Sequence, residues 1–155
     1  MKYLNCKVSL QEVPGEISLV FQISECPHRC PGCHSPELWA SEGTLLTVEK
    51  LLIEMKKYEK LFSCVCFFGG ESDEDTLAEL LSLVRKSGYK TCLYTGADSI
   101  SSKLKTNLNY LKTGPWKEEL GGLYATTTNQ RFINLDSGKC LNHLFQHTQG
   151  VTSHA

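Results

Sequence analysis

Long hydrophobic runs are missing from this chain. No stretch approaches the roughly 20 apolar residues of a membrane-spanning helix. The opening segment, MKYLNCKVSLQEVPGEISLVF, lacks an uninterrupted apolar core followed by a small-residue cleavage site. The expectation from these absences is a soluble, cytoplasmic protein with no membrane partner. An excess of one charge sign is missing too: 16 basic and 17 acidic residues are interleaved, with a formal net charge of -1. That argues against nucleic acid as the main partner. Internal repeats and low-complexity segments are also absent. Hydrophobic residues at 41% and charged residues at 21% supply a core, which leaves disorder an expectation only for the ends, notably a flexible tail at 148–155. A length of 155 residues suits one domain spanning 1–155. Against these absences stand eight cysteines. In a chain without a secretion signal they read as metal ligands or reduced buried thiols, because the cytosol does not sustain a disulfide framework.

The apolar residues place the motifs. Residues 17–23 (ISLVFQI), after a Pro14-Gly15 turn signal, read as a buried strand that delivers the chain to Cys26. Val48, Leu51, Leu52, Met55 and Leu61 recur near helical spacing, with Thr47 as N-cap. Residues 64–68 (CVCFF) read as a second buried strand ending at Gly69-Gly70. A second amphipathic helix follows through Leu77, Leu80, Leu81 and Val84, stops at Gly88, and leads to a strand at 89–94. A short helix near 100–105 and strands at 109–112 and 132–135 complete the reading. Strands alternating with helices in units of roughly 30 residues imply right-handed crossovers, a mainly parallel sheet and an α/β fold. Sites in such sheets lie at the C-terminal ends of the strands.

Cys26-Pro-His-Arg-Cys30-Pro-Gly-Cys33-His34 packs three thiols into a loop directly after a strand, where prolines and glycine oppose regular structure. Three soft ligands this close can reach one centre, and thiolates suit iron-sulfur clusters or zinc. With three local cysteines a cubane cluster would keep one iron without a protein ligand, which is the open position that ligand binding at a metal requires. Other readings stay open on spacing alone: His34 completes a zinc site with the three thiols, Cys140 supplies a fourth ligand, or the thiols bind nothing. Gly69-Gly70-Glu71 lies at a strand end, where backbone can approach a ligand, and Glu71 can accept a charge-assisted bond from an ammonium group. The same turn also reads as a helix start, with Asp73 and Asp75 as cap and dipole charges. Thr95 and Gly96 end the third strand and either extend the site with a hydroxyl and a close backbone approach or make a plain turn. Cys64, Cys66 and Cys92 fall in strands and read as core. Cys6 and Cys140 have no partner at ligand spacing, and Trp39 and Trp116 read as packing residues.

The C-x3-C-x2-C loop after a strand, followed one strand later by GGE, resembles the radical S-adenosylmethionine superfamily. The resemblance implies that Cys26, Cys30 and Cys33 bind three irons of a 4Fe-4S cluster while S-adenosylmethionine chelates the fourth. It further implies that Glu71 holds the methionine amino group, with Gly69 and Gly70 beside it, and that Gly32 and His34 lie against the adenosine part. CPGCHSPELW at 30–39, FFGGE at 67–71, KTGPWKEEL at 112–120 and TTTNQR at 126–131 resemble in particular the activating components of anaerobic ribonucleoside-triphosphate reductases, across the chain to about Leu135.

That resemblance implies an abbreviated, partial α/β barrel and a radical enzyme that cleaves S-adenosylmethionine reductively. Its 5′-deoxyadenosyl radical would take a hydrogen from a glycine Cα of the large reductase subunit. The implied partners are that subunit and a flavodoxin-like or ferredoxin-like electron donor, with a homodimer among the assemblies allowed. The cluster and S-adenosylmethionine carry the chemistry, so no side chain is expected to act as acid or base. The segment 114–131, with Asn129, Gln130 and Arg131, either shapes a partner-facing surface or is an ordinary loop. The alternatives are an activase of another glycyl-radical enzyme, such as pyruvate formate-lyase, a small radical enzyme acting on a peptide or metabolite, and a non-enzymatic interaction module built on a three-cysteine, one-histidine zinc site.

Overall fold

Eight strands pair edge to edge in a computed structural model that describes residues 1–146; the tail expected to be flexible at 148–155 lies outside the described residues. The strands are β1 (Lys2–Ser9), β2 (Ser18–Ile23), β3 (Thr44–Leu45), β4 (Cys64–Phe68), β5 (Lys90–Tyr94), β6 (Tyr110–Thr113), β7 (Arg131–Asn134) and β8 (Lys139–Cys140). Between them lie α1 (Val48–Lys57), α2 (Glu74–Lys86) and α3 (Ser102–Lys105), with α4 (His143–Gln146) at the end and a 3-10 turn at Pro36–Trp39. The order is β3-β1-β2-β4-β5-β6-β7-β8. Its centre, β2-β4-β5-β6, is parallel as the alternation of strands and helices predicts. Both margins are antiparallel, which that alternation does not predict. The order has two free ends, so among the described residues the sheet is open.

Alternation along the central strands sorts the core into two faces. Leu19, Phe21 and Ile23 of β2, Val65 and Phe67 of β4, and Leu93 of β5 join Leu51, Met55, Leu77, Leu80, Leu81, Val84 and Leu104 from the helices. Each such side chain contributes about 2 kcal/mol when withdrawn from water. The opposite face carries Val20, Cys64, Cys66, Cys92, Tyr110 and Phe132, closed over by Val13 and Leu123 from loops. Three crossover helices thus share one side, and the other is covered by loops and by Phe145 of α4.

Local chemistry sets the helix ends. Thr47 Oγ1 accepts from Lys50 N at 3.1 Å as an N-cap, and α1 stops at Lys57. Leu61, expected on the apolar face of this helix, lies past its end and is exposed, while buried Glu54 takes a place in the stripe that Leu52 does not fill. β1 is absent from the sequence reading for a physical reason. A bulge between Tyr3 and Asn5 shifts its register against β2, so Tyr3, Cys6 and Val8 all reach the helix-side core although their spacing breaks the two-residue period. No helix among the described residues is long and apolar enough to cross a membrane.

Candidate functional site

The C-terminal ends of β2, β4, β5 and β6 meet at one edge, and the loops leaving them build a cavity. Past β2, Ser24 N donates to Lys2 O at 3.0 Å, Glu25 N to Ala40 O at 3.1 Å and Cys26 N to Leu38 O at 2.9 Å, which ties the cysteine loop to the 3-10 turn. Glu25 and Arg29 adopt left-handed backbone at φ 63° and 44°. The chain thereby coils tightly enough for Cys33 N to reach Cys30 O at 3.1 Å. Cys30 is buried, and Cys26 and Cys33 are half-buried. All three line the same cavity.

Gly69 N donates to Tyr94 O at 2.9 Å as β4 ends, and Gly69 and Gly70, at φ 90° and 103°, turn the chain into Glu71. The Glu71 carboxylate reaches the cavity wall. Its Oε1 accepts from Thr95 Oγ1 at 2.6 Å and stands 2.8 Å from His28 Nε2, while its buried Oε2 has no hydrogen-bond partner. Thr95 Oγ1 in turn accepts from Ala97 N at 2.9 Å, which orients its proton toward Glu71. Lys112, from β6, is buried on the same wall and donates to Gly114 O at 2.8 Å. Burial pulls its ammonium down to about 8, against the opposing influence of Cys30, Cys33 and Glu71. The cavity is thus lined by three thiols, a carboxylate with one unpartnered oxygen, and one buried cation.

Trp116 closes the outer side. Its ring lies 4.3 Å from that of His34, and its buried Nε1 has no hydrogen-bond acceptor. The cavity measures about 160 Å³, and a groove of about 500 Å³ adjoins it through Cys33, Ser35, Phe68, Tyr94, Lys112, Trp116 and Gln130. The cavity alone is smaller than sites for cofactor-sized ligands, roughly 300–1,000 Å³, and the adjoining groove brings the space into that range.

Of the residues expected at the site, Cys26, Cys30, Cys33, Gly69, Glu71, Thr95 and Gly96 line the cavity. His34 lines the groove instead, its ring tilted by 47° against Trp116, and Gly32 abuts Glu118 and Trp116. Gly70 departs from the expectation for the whole GGE turn: it does not line the cavity, and a Cβ built on it would meet Met1, Ile23 and Leu77 of the helix-side core. Asn129 and Gln130 donate to Pro115 O at 3.0 and 3.5 Å, so both satisfy the loop backbone. Cys140 is exposed on margin strand β8, away from the cavity. Sequence reading missed His28, Lys112 and Trp116 as site residues. A buried lysine at the end of a central strand was the available signal for Lys112.

Among the described residues, no three His, Cys, Asp or Glu side chains already converge as metal ligands do. The thiols share a cavity wall rather than a point. The donor set nevertheless fits a cubane cluster: three thiols on one loop, no fourth beside them, and an unpartnered carboxylate oxygen across the cavity to hold part of an outside ligand.

Residues 13–121 match the family described as a 4Fe-4S single cluster domain. The chain belongs to that family. The matched segment contains the three loop cysteines and excludes Cys6 and Cys140. The crystal structure of QueE from Escherichia coli superposes with a TM-score of 0.54 at 15% identity, covering 70% of this chain and 68% of that one, and so shares the fold. No curated protein sequence matches the chain. As a 4Fe-4S single cluster domain, the chain has one loop suited to the cluster, at Cys26, Cys30 and Cys33.

Proposed function

We propose that this protein is a radical S-adenosylmethionine enzyme, and specifically an activase that generates the glycyl radical of an anaerobic ribonucleoside-triphosphate reductase. The observation that carries the reading is the shared cavity: the three loop thiols and Glu71, whose buried Oε2 has no hydrogen-bond partner, line one space at the C-terminal end of a parallel sheet. Cys26, Cys30 and Cys33 would hold the cluster. When bound and reduced, the cluster would supply the one electron for cleavage of the sulfur to 5′-carbon bond of S-adenosylmethionine, which would yield methionine and, with the glycine Cα hydrogen taken up, 5′-deoxyadenosine. Glu71 would bind the ligand's ammonium group through Oε2, since Oε1 is already engaged by Thr95 and His28. Lys112 would face the ligand's carboxylate as a buried cation. Trp116 and the groove beside His34 would screen the adenosine end from water.

The reductase as partner rests on resemblance, supported by packing. The two segments that carry it, 112–120 and 126–131, lie on each other at the rim of the groove, where Gly114 sits against Asn129 and Gln130. A partner loop reaching the cavity would pass this rim. The flavodoxin-like or ferredoxin-like donor belongs to the same proposal.

The test is anaerobic reconstitution followed by iron and sulfide analysis, with about four of each expected per chain. Reduction in the presence of S-adenosylmethionine should then yield 5′-deoxyadenosine and methionine. Adding the reductase subunit should produce a glycyl radical by electron paramagnetic resonance. Stoichiometric zinc without iron-sulfur absorption would overturn the class, and 5′-deoxyadenosine without a glycyl radical would overturn the partner.

A further inference from the structure

The third residue of the cysteine loop makes a contact that neither the cluster nor the resemblance explains. His28 lies between Cys26 and Cys30, yet its ring reaches across the cavity mouth to the loops that leave β4 and β5. Its Nε2 is 2.8 Å from Glu71 Oε1, in a pair whose side chains are 25% and 13% exposed. A carboxylate only accepts, so Nε2 carries the proton of this bond. The other edge of the ring rests on Gly96: a Cβ built there would stand 2.7 Å from both Cδ2 and Cγ of His28. No positive φ constrains Gly96. Glycine at that position is therefore required by the imidazole, not by the backbone.

Resting on the proposed function above, we infer that His28 is a positioning residue that aims Glu71 at the ammonium group of the ligand. His28 and Thr95 together occupy Oε1, which fixes the carboxylate plane and leaves Oε2 as the one lone-pair-bearing oxygen without a donor. Gly96 supplies the flat floor that holds the ring in this pose. The cysteine loop and the Glu71 turn are thereby locked to each other at the point where a ligand would bridge cluster and carboxylate. An ammonium group meets an acceptor already oriented, and the orientation cost is met in folding rather than in binding.

Four variants test this, of which His28→Ala removes the ring and its Cγ altogether. His28→Leu removes the donor, His28→Gln returns one at the position of Nε2, and Gly96→Ala pushes the ring away. In the reconstituted enzyme, His28→Leu should keep its iron and raise the KM for S-adenosylmethionine about tenfold with kcat little changed, the effect of misaligning one charge-assisted bond. His28→Gln should recover most of the loss. Methylthioadenosine, which lacks the ammonium group, should bind the parent and His28→Leu alike. In the apo-protein, Gly96→Ala should lower the Tm of the parent but much less that of His28→Ala, because the two closest contacts, Cδ2 and Cγ of His28, are atoms that His28→Ala removes. Equal weakening of both ligands, loss of iron in His28→Leu, or additive effects of Gly96→Ala and His28→Ala on Tm would each overturn the inference. Failure of the parent to bind S-adenosylmethionine would overturn the proposed function instead, while the Tm cycle would still report on the His28 contact.

Discussion

Cys26, Cys30 and Cys33 stand on the loop past β2, whereas Cys64, Cys66 and Cys92 stand on β4 and β5, and the two groups of three lead different lives. The loop thiols line a cavity beside the buried ammonium of Lys112. The strand thiols are wholly withdrawn from solvent on the sheet face opposite the helices, with Cys66 and Cys92 in register on neighbouring strands. Burial pushes the Cys64 and Cys92 thiols up, so they pack as small apolar groups. The difference lies in the backbone beneath each thiol. A ladder of sheet hydrogen bonds pins every second side chain to one face and allows it no other target. A loop turned by left-handed residues at Glu25, Arg29 and Gly32 lets thiols three and four residues apart open onto one space.

The sharpest way to break this contrast is to remove one thiol from each group. Cys30→Ala should abolish cluster assembly and 5′-deoxyadenosine formation, while Cys66→Ala should keep about four irons per chain by metal analysis. Iron loss in both would erase the distinction. Next in size, Glu71→Gln should leave the iron content intact and weaken S-adenosylmethionine binding more than tenfold in a titration of the reduced protein, because a charged acceptor is replaced by a neutral one.

A smaller effect should appear in stability. Cys92→Ser sets a hydroxyl in a fully buried position and should cost about 1–3 kcal/mol in urea unfolding, whereas Cys33→Ser in the apo-protein, at a half-buried loop site, should cost much less. The smallest effect lies at the helix-side core, away from both groups. Burial opposes the charge of Glu54, but hydrogen bonds from Tyr3, Lys50 and Lys57 outweigh it and hold its folded pKa below 4.5. Its charged form thus stabilises the fold fully above about pH 4.5, and that contribution is lost as pH falls through the lower folded-state value. The Tm difference between parent and Glu54→Gln should therefore hold steady above that pH and shrink below it.

Much of the parallel centre was legible because its signals are local. Residues 64–68 form β4 with the bounds that their apolar run predicts, and Thr47 caps α1 as its side chain suggests. β1 was not legible, since a bulge against β2 scrambles the alternation on which recognition depends. β8 and α4 were missed because two polar residues and four mixed ones carry no period. Within the site, Glu71 was legible through the glycines that precede it. Trp116 was not: nothing in KTGPWKEEL tells that the indole folds back onto His34.

Local sequence set which residues could do chemistry: three closely spaced thiols after a strand, a glycine turn ending in a carboxylate, and apolar periods that order strands and helices. These are properties of neighbours in the chain, set by steric preference and hydrogen bonding over a few residues. Tertiary packing settled which thiols face open space and which face the core, that Gly70 lies outside the cavity lining while Glu71 is part of it, and that His28 meets a carboxylate 43 residues away. Those outcomes depend on strand order and register, and in a parallel sheet the pairing that sets them joins segments separated by whole crossovers.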